Sequence, residues 1–189
     1  MPNFSPAGFI EPFDLLCSLK GKLHLFVGTG VRVLHLRAPR KSEPNAYIDL
    51  RELVRWPEAQ AVLDEALSTA ERRVGHAVEL GRAYLEMLDA GASTPARRAV
   101  GNYPAQHVRV VLGLRCNPGS YLWCPPEHVV LMPGQAVLTS PALYHGALNA
   151  GETARIHLVM DIRAAEKTID MGLQEDDLNL DPQRVPVTL

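Results

Sequence analysis

Short strands, broken at near-regular intervals by proline and glycine, constrain this chain more than anything else in it. His107–Leu114 reads HVRVVLGL, a β-branched run closed off by Pro104 on one side and Asn117-Pro118-Gly119 on the other. Tyr121–Cys124, His128–Met132, Ala136–Leu138 and Ile156–Ile162 follow, separated by Pro125-Pro126, Pro133-Gly134-Gln135 and Asn149-Ala150-Gly151. Ala83–Leu88 precedes them and ends in the turn Asp89-Ala90-Gly91. Strands this short at this spacing pair as antiparallel neighbours and close into a barrel or a sandwich. Side chains alternate across a strand, so Arg109, Val111 and Gly113 share one face, and Val110, Leu112 and Leu114 the other.

The first half has a different texture. Lys22–Val27 and Val31–Arg37 alternate around Gly28-Thr29-Gly30, which predicts a β-hairpin with His24 and His35 as ordinary strand-face residues. Pro2–Pro12 reads as an arm or loop, and Pro39–Asn45 as a polar loop. Glu52–Leu67 reads as helix with Leu53, Val54, Val62, Leu63 and Leu67 apolar, broken or begun at Pro57. The expected organisation is one domain. Residues 1–80 pack as hairpin and helices on a β core spanning 81–163, and a tail of 164–189 is acidic around Glu175-Asp176-Asp177. Nineteen Lys and Arg against 21 Asp and Glu leave a near-balanced charge. That balance gives no footprint for nucleic acid or an anionic membrane surface. No apolar run nears the roughly 20 residues of a membrane span. The N-terminus lacks the basic-then-apolar pattern of a secretory signal. Cys17, Cys116 and Cys124 lack metal-finger spacing and read as reduced thiols, so the expectation is a cytoplasmic protein, alone, as a homo-oligomer or with a protein partner.

Chemistry concentrates in Tyr144-His145-Gly146-Ala147-Leu148-Asn149, followed ten residues after the histidine by Arg155-Ile156-His157-Leu158-Val159-Met160-Asp161. With Gly81–Leu88, Arg109–Leu114, Asn117-Pro118-Gly119 and Met132-Pro133-Gly134-Gln135-Ala136, this stretch resembles the aspartyl/asparaginyl and free-proline hydroxylase group of iron(II)/2-oxoglutarate dioxygenases. The resemblance spans about Gly81–Arg163. It implies a mainly β, double-stranded β-helix (jelly-roll, cupin-like) fold with the N-terminal hairpin and helices flanking it. It also implies Fe(II) and 2-oxoglutarate as cofactors, with His145 as the distal iron ligand and Arg155 gripping the cosubstrate's far carboxylate. A guanidinium fork suits that task through two parallel charge-assisted hydrogen bonds. Arg109 is a second cofactor-side candidate.

The early iron-ligand pair, expected a few residues after Gly91, falls near Arg97 and Ala99, where the sequence reads Ala96-Arg97-Arg98-Ala99. Two imidazoles and a carboxylate suit non-haem iron; one imidazole beside arginines does not. Three readings follow. In the first, a metal-free or atypical member acts on a small carboxylate-bearing substrate, with His145, Arg97 and Arg98 doing acid–base or electrostatic work of an isomerase, cyclase or lyase kind. In the second, an active amino-acid hydroxylase rebuilds its metal site from His107 and His145. In the third, the protein is a non-catalytic partner of another enzyme. The plainer readings are a structural histidine at a strand end for His145 and a barrel-mouth ion pair for Arg155. No acid shares Arg155's face upstream on its own strand, so its expected counter-ion is a ligand carboxylate.

Overall fold

The computed structural model describes residues 3–40 and 46–165, so the tail expected to pack or fray lies almost wholly outside the described residues. Among the described residues are twelve strands and four α-helices: β1 Ser5–Phe9, α1 Phe13–Leu19, β2 Val27–Thr29, β3 Val31–Pro39, β4 Tyr47–Asp49, α2 Arg51–Val54, α3 Pro57–Val74, β5 Val78–Leu88, β6 Ser93–Arg97, α4 Asn102–Gln106, β7 Val108–Arg115, β8 Ser120–Cys124, β9 Glu127–Val129, β10 Gln135–Thr139, β11 His145–Asn149 and β12 Arg155–Ala164. All pairings are antiparallel. A larger sheet runs β1-β10-β7-β12-β5-β3-β2, with β4 on β3, and a smaller one runs β6-β11-β8-β9. The expected jelly roll is present.

The strand read most clearly from sequence, β7, lies inside the larger sheet between β10 and β12 and is buried along almost its whole length. Its two faces divide as the alternation predicts. Val108, Val110, Leu112 and Leu114 join one core with Leu85, Met87, Ile156, Leu158 and helix residues Leu15, Leu63 and Ala66. Val111 joins a second cluster with Leu131, Val137 and Val159, and Arg109 faces the space between the sheets. Gly113 is required by contact: a Cβ there would lie 2.7 Å from both the Cys116 Sγ and the Met132 carbonyl oxygen.

Helix α3 packs on the outer face of the larger sheet. Pro57 sits in its first turn, where a missing N–H is harmless. Ala59, Val62, Leu63, Ala66 and Ala70 bury one stripe at helical spacing. Gly75 ends the helix at φ 80°, its N–H donating to the Glu71 carbonyl. Pro57 therefore both breaks and begins a helix. Val54, expected on the apolar side, is exposed.

Three local expectations are corrected. Lys20–Leu25 forms a 3-10 helix, so of the expected arm Lys22–Val27 only Val27 is strand, and β2 runs on through Gly28 and Thr29, which were expected in the turn. That strand ends the sheet and pairs β3 alone, so nothing lies opposite to fix the Leu23/Leu25 alternation as β. His24 accordingly sits on the 3-10 turn, while His35 is on β3 beside Tyr84. The arm Pro2–Pro12 contains β1, and the stretch after Gly91, for which the sequence suggested no element, forms the strand β6 over Ser93–Arg97. Both carry a proline and both end their sheets, the position where a strand tolerates one. Among the described residues no helix is long and apolar enough to cross a membrane.

Candidate functional site

His145 opens β11, and its cross-strand partner on β6 is Arg97. The estimate that put the early ligand position near Arg97 therefore falls directly opposite the histidine. The imidazole is held at both nitrogens. Nδ1 lies 2.7 Å from the Leu143 carbonyl oxygen and Nε2 lies 3.3 Å from Nη1 of Arg109. A carbonyl only accepts and a guanidinium only donates, so Nδ1 carries the proton and the Nε2 lone pair receives Arg109. Burial, then the Arg109 charge, pushes the imidazole down to about 4. His145 is thus neutral near neutral pH, with its outward-facing lone pair engaged.

Arg109 is locked from behind. Its Nε and Nη2 donate to the two oxygens of Asp161 at 2.8 and 3.2 Å, a side-on bidentate pair. Asp161, fully buried, also accepts from Arg82 at 2.8 Å and from the Tyr103 hydroxyl at 3.1 Å. Burial alone would raise its carboxyl, but Arg109 and Arg82 outweigh it and hold the group below the usual carboxylate range.

Arg155 is placed differently from the expectation. It is 0 % exposed, does not line the space between the sheets, and donates to Glu86 Oε1 at 2.8 Å. The acid comes from β5, the neighbouring strand, and inspection along β12 alone does not reveal it. A second contact joins Arg155 Nη1 to His157 Nδ1 at 2.6 Å. Burial and the Arg155 charge hold that imidazole well below its ordinary range. The plainer alternative placed an ion pair at the barrel mouth; the pair present is buried, engages Arg155 at Nη1 and Nη2, and leaves its Nε buried without a partner.

His107 does not join His145. Its ring stacks on Tyr103 at 3.8 Å, its Nδ1 meets the Tyr103 carbonyl, and it does not line the cleft. Arg98 lies over the Tyr144 ring, also away from the cleft, so of the two neighbouring arginines only Arg97 faces it.

The cleft lies between the sheets. Its polar lining includes Arg109, Arg97, Tyr84, Glu86, Thr139, His145 and His157, and its apolar wall Phe4, Val111, Leu122 and Val159. Its cavity volume is about 40 Å³, room for about three waters. Thr139, the cross-strand partner of Arg109, has its hydroxyl buried with no hydrogen-bond partner. Glu86, Tyr84 and Thr139 are the site residues that sequence reasoning missed. The available signal was an acid, Glu86, within the otherwise apolar run Tyr84–Leu88.

The family model for aspartyl/asparaginyl β-hydroxylase matches residues 51–165, more than half of the chain. The chain belongs to this family. No curated protein matches it. Similar solved structures include SnoN, a non-haem alpha-ketoglutarate-dependent epimerase from nogalamycin biosynthesis (10% identity, 86% of this chain and 78% of that one, TM-score 0.62). A 2OG-Fe(II) oxygenase-family oxidoreductase from Burkholderia pseudomallei matches at 12% identity over 80% of this chain and 78% of that one, TM-score 0.61. HygX from Streptomyces hygroscopicus, solved with nickel, 2-oxoglutarate and hygromycin B, matches at 14% identity over 88% and 85%, TM-score 0.58. At these identities the likeness is one of fold.

The hydroxylase family implies iron, and the side chains here do not fit it. Among the described residues no three His, Cys, Asp or Glu side chains converge as a metal site. Of the two histidines that line the cleft, His145 has its lone pair on Arg109 with an arginine facing it across the strand pair, and His157 meets the Arg155 guanidinium at Nδ1. A divalent ion about 4 Å from one guanidinium meets on the order of 8 kcal/mol of repulsion at an effective dielectric of 20.

Proposed function

We infer that this hydroxylase-family chain works without iron, on or with a small carboxylate-bearing molecule. What carries the reading is the Arg109–His145 contact: the nitrogen that would bind a metal accepts a hydrogen bond from a guanidinium that Asp161 fixes in place. The chemistry this supports is electrostatic. A buried, pre-oriented guanidinium stabilises negative charge developing on a carbonyl or enolate oxygen without reorganising, as an isomerase, cyclase or lyase requires. Arg109 has five N–H groups, of which two donate to Asp161 and one to His145, leaving two for a ligand. Acid–base work by His145, in contrast, is weakly supported, because a base held near 4 is a poor proton acceptor at neutral pH. That weakness also favours the second reading, a cleft that binds an acid without turning it over and serves a partner enzyme.

Deuterium exchange separates the two. Protein stripped with a chelator and kept anaerobic is incubated in D₂O with small 2-oxo and 2-hydroxy acids, and proton NMR follows label entering carbon next to the acid or carbonyl. The expected result is exchange above the protein-free rate, reduced about 100-fold or more in Arg109→Gln, in line with loss of one preorganised oxyanion donor. Exchange or oxidation that appears only with iron(II) and O₂ contradicts the iron-free reading.

A further inference from the structure

We propose that the anion seat of this cleft is Arg97, and that its ligand is a small monocarboxylate, not a dicarboxylate. The proposal rests on the reading of the cleft as a small-acid site and names where the acid lies and how many charges it carries. Two guanidiniums line the cleft, Arg97 and Arg109, and Arg155 lies buried outside its lining; Arg155 donates to Glu86, and Arg109 to Asp161, which Arg82 shares. Arg97 is different. Its nearest acid oxygen, on Glu86, is 3.9 Å away, beyond hydrogen-bonding distance, and it donates no hydrogen bond to another described side chain or carbonyl. Its side chain is 53 % exposed, so it reaches both solvent and the cleft it lines. All five of its donors are available in a rigid fork, opposite His145.

The count of charges sets the ligand. Asp161 is shared by Arg109 and Arg82 and Glu86 is held by Arg155, so of the two guanidiniums that line the cleft only Arg97 has no carboxylate within hydrogen-bonding distance, and it is the more accessible one. A second carboxylate on the ligand would lie along Val111, Leu122 and Val159 or approach Glu86, and the other guanidinium of the cleft, Arg109, already has the Asp161 carboxylate. The cleft, open on one side, has a cavity volume of about 40 Å³, which suits a small ligand body. The Thr139 hydroxyl, 4 % exposed and unpartnered in the wall beside Arg109, is an independent sign of an absent polar group. Buried hydroxyls are ordinarily paired with protein, water or ligand.

NMR titration with propionate and pyruvate, and in parallel with succinate and 2-oxoglutarate, tests this on the native chain, Arg97→Gln and Arg97→Lys. Arg97 is half-exposed at a strand end, so both variants should keep the fold, checked by their unperturbed β-sheet amide signals. The expected result is saturable binding of the monocarboxylates, with the dicarboxylates no tighter. Arg97→Gln should weaken binding about 10- to 150-fold, the range of a charge-assisted bidentate contact, and Arg97→Lys should recover only part of it. Dicarboxylates binding tenfold tighter would overturn the one-charge assignment. Monocarboxylates binding Arg97→Gln as well as the native chain would overturn Arg97 while leaving the small-acid reading in place. Failure of all four acids to bind the native chain overturns that reading and the proposal together.

Discussion

Replacing Arg155 with Met is expected to lower unfolding free energy by about 3–5 kcal/mol, a loss of on the order of 10 °C in Tm. Arg155 is fully buried and Glu86 is 7 % exposed, so the substitution strands a carboxylate where water does not replace its partner. His157 loses its donor at the same time. The double variant Glu86→Gln/Arg155→Met should be more stable than Arg155→Met alone, because the buried charge goes with its partner. Urea unfolding of the native chain, both single variants and the double variant gives the coupling directly. A cost below about 1 kcal/mol for Arg155→Met, or no recovery in the double variant, would mean that Glu86 is solvated and that Arg155 is free to bind a ligand.

Acid is the second large effect. His145 titrates at about 4 when folded against an ordinary 6.5, and burial also lowers His157 and His107. Between those values the unfolded chain binds protons that the folded chain refuses, so stability falls as pH drops below about 6.5 and stops falling on this account near 4. His145 alone contributes about 3 kcal/mol to the loss, at 1.36 kcal/mol per pH unit. His157 and His107 steepen it. Asp161 acts in a lower window: its folded carboxyl is depressed, so its contribution is intact above the ordinary carboxylate range and disappears only as pH falls beneath it. Urea midpoints at half-unit pH steps from 7.5 to 4.5 should fall continuously, and His145→Gln should flatten the profile. A flat native profile across pH 6.5–4.5 would show that these imidazoles protonate freely in the folded state.

The legible part of the fold was whatever alternation and turn chemistry specify locally. The β7 faces, the helix beginning at Pro57 and the run β8 to β12 follow from side-chain period and Pro/Gly punctuation. β1 was hidden in a proline-rich stretch that read as arm or loop, and β6, also carrying a proline, was assigned no element, although an end strand needs no donor on its open side. At the site, counting forward from Gly91 put the early ligand slot near Arg97, which the structure pairs with His145, but pairing across strands was not legible. Glu86 reaches Arg155 from β5, 69 positions away, and Arg109 reaches His145 from 36 positions away. Register decides both contacts, and a single strand's sequence does not encode its neighbour's register. Arg155 therefore looked available and Glu86 looked incidental, when each is the other's counter-ion.

Iron retention tests the central claim most directly. Chelator-stripped protein is loaded anaerobically with iron(II), desalted, and analysed for metal beside His145→Ala. The guanidinium on His145 Nε2 and Arg97 across the strand pair predict well under one-tenth of an equivalent retained, the same in both proteins. About one equivalent retained by the native chain and lost in His145→Ala would contradict the account and restore the iron-dependent hydroxylase reading.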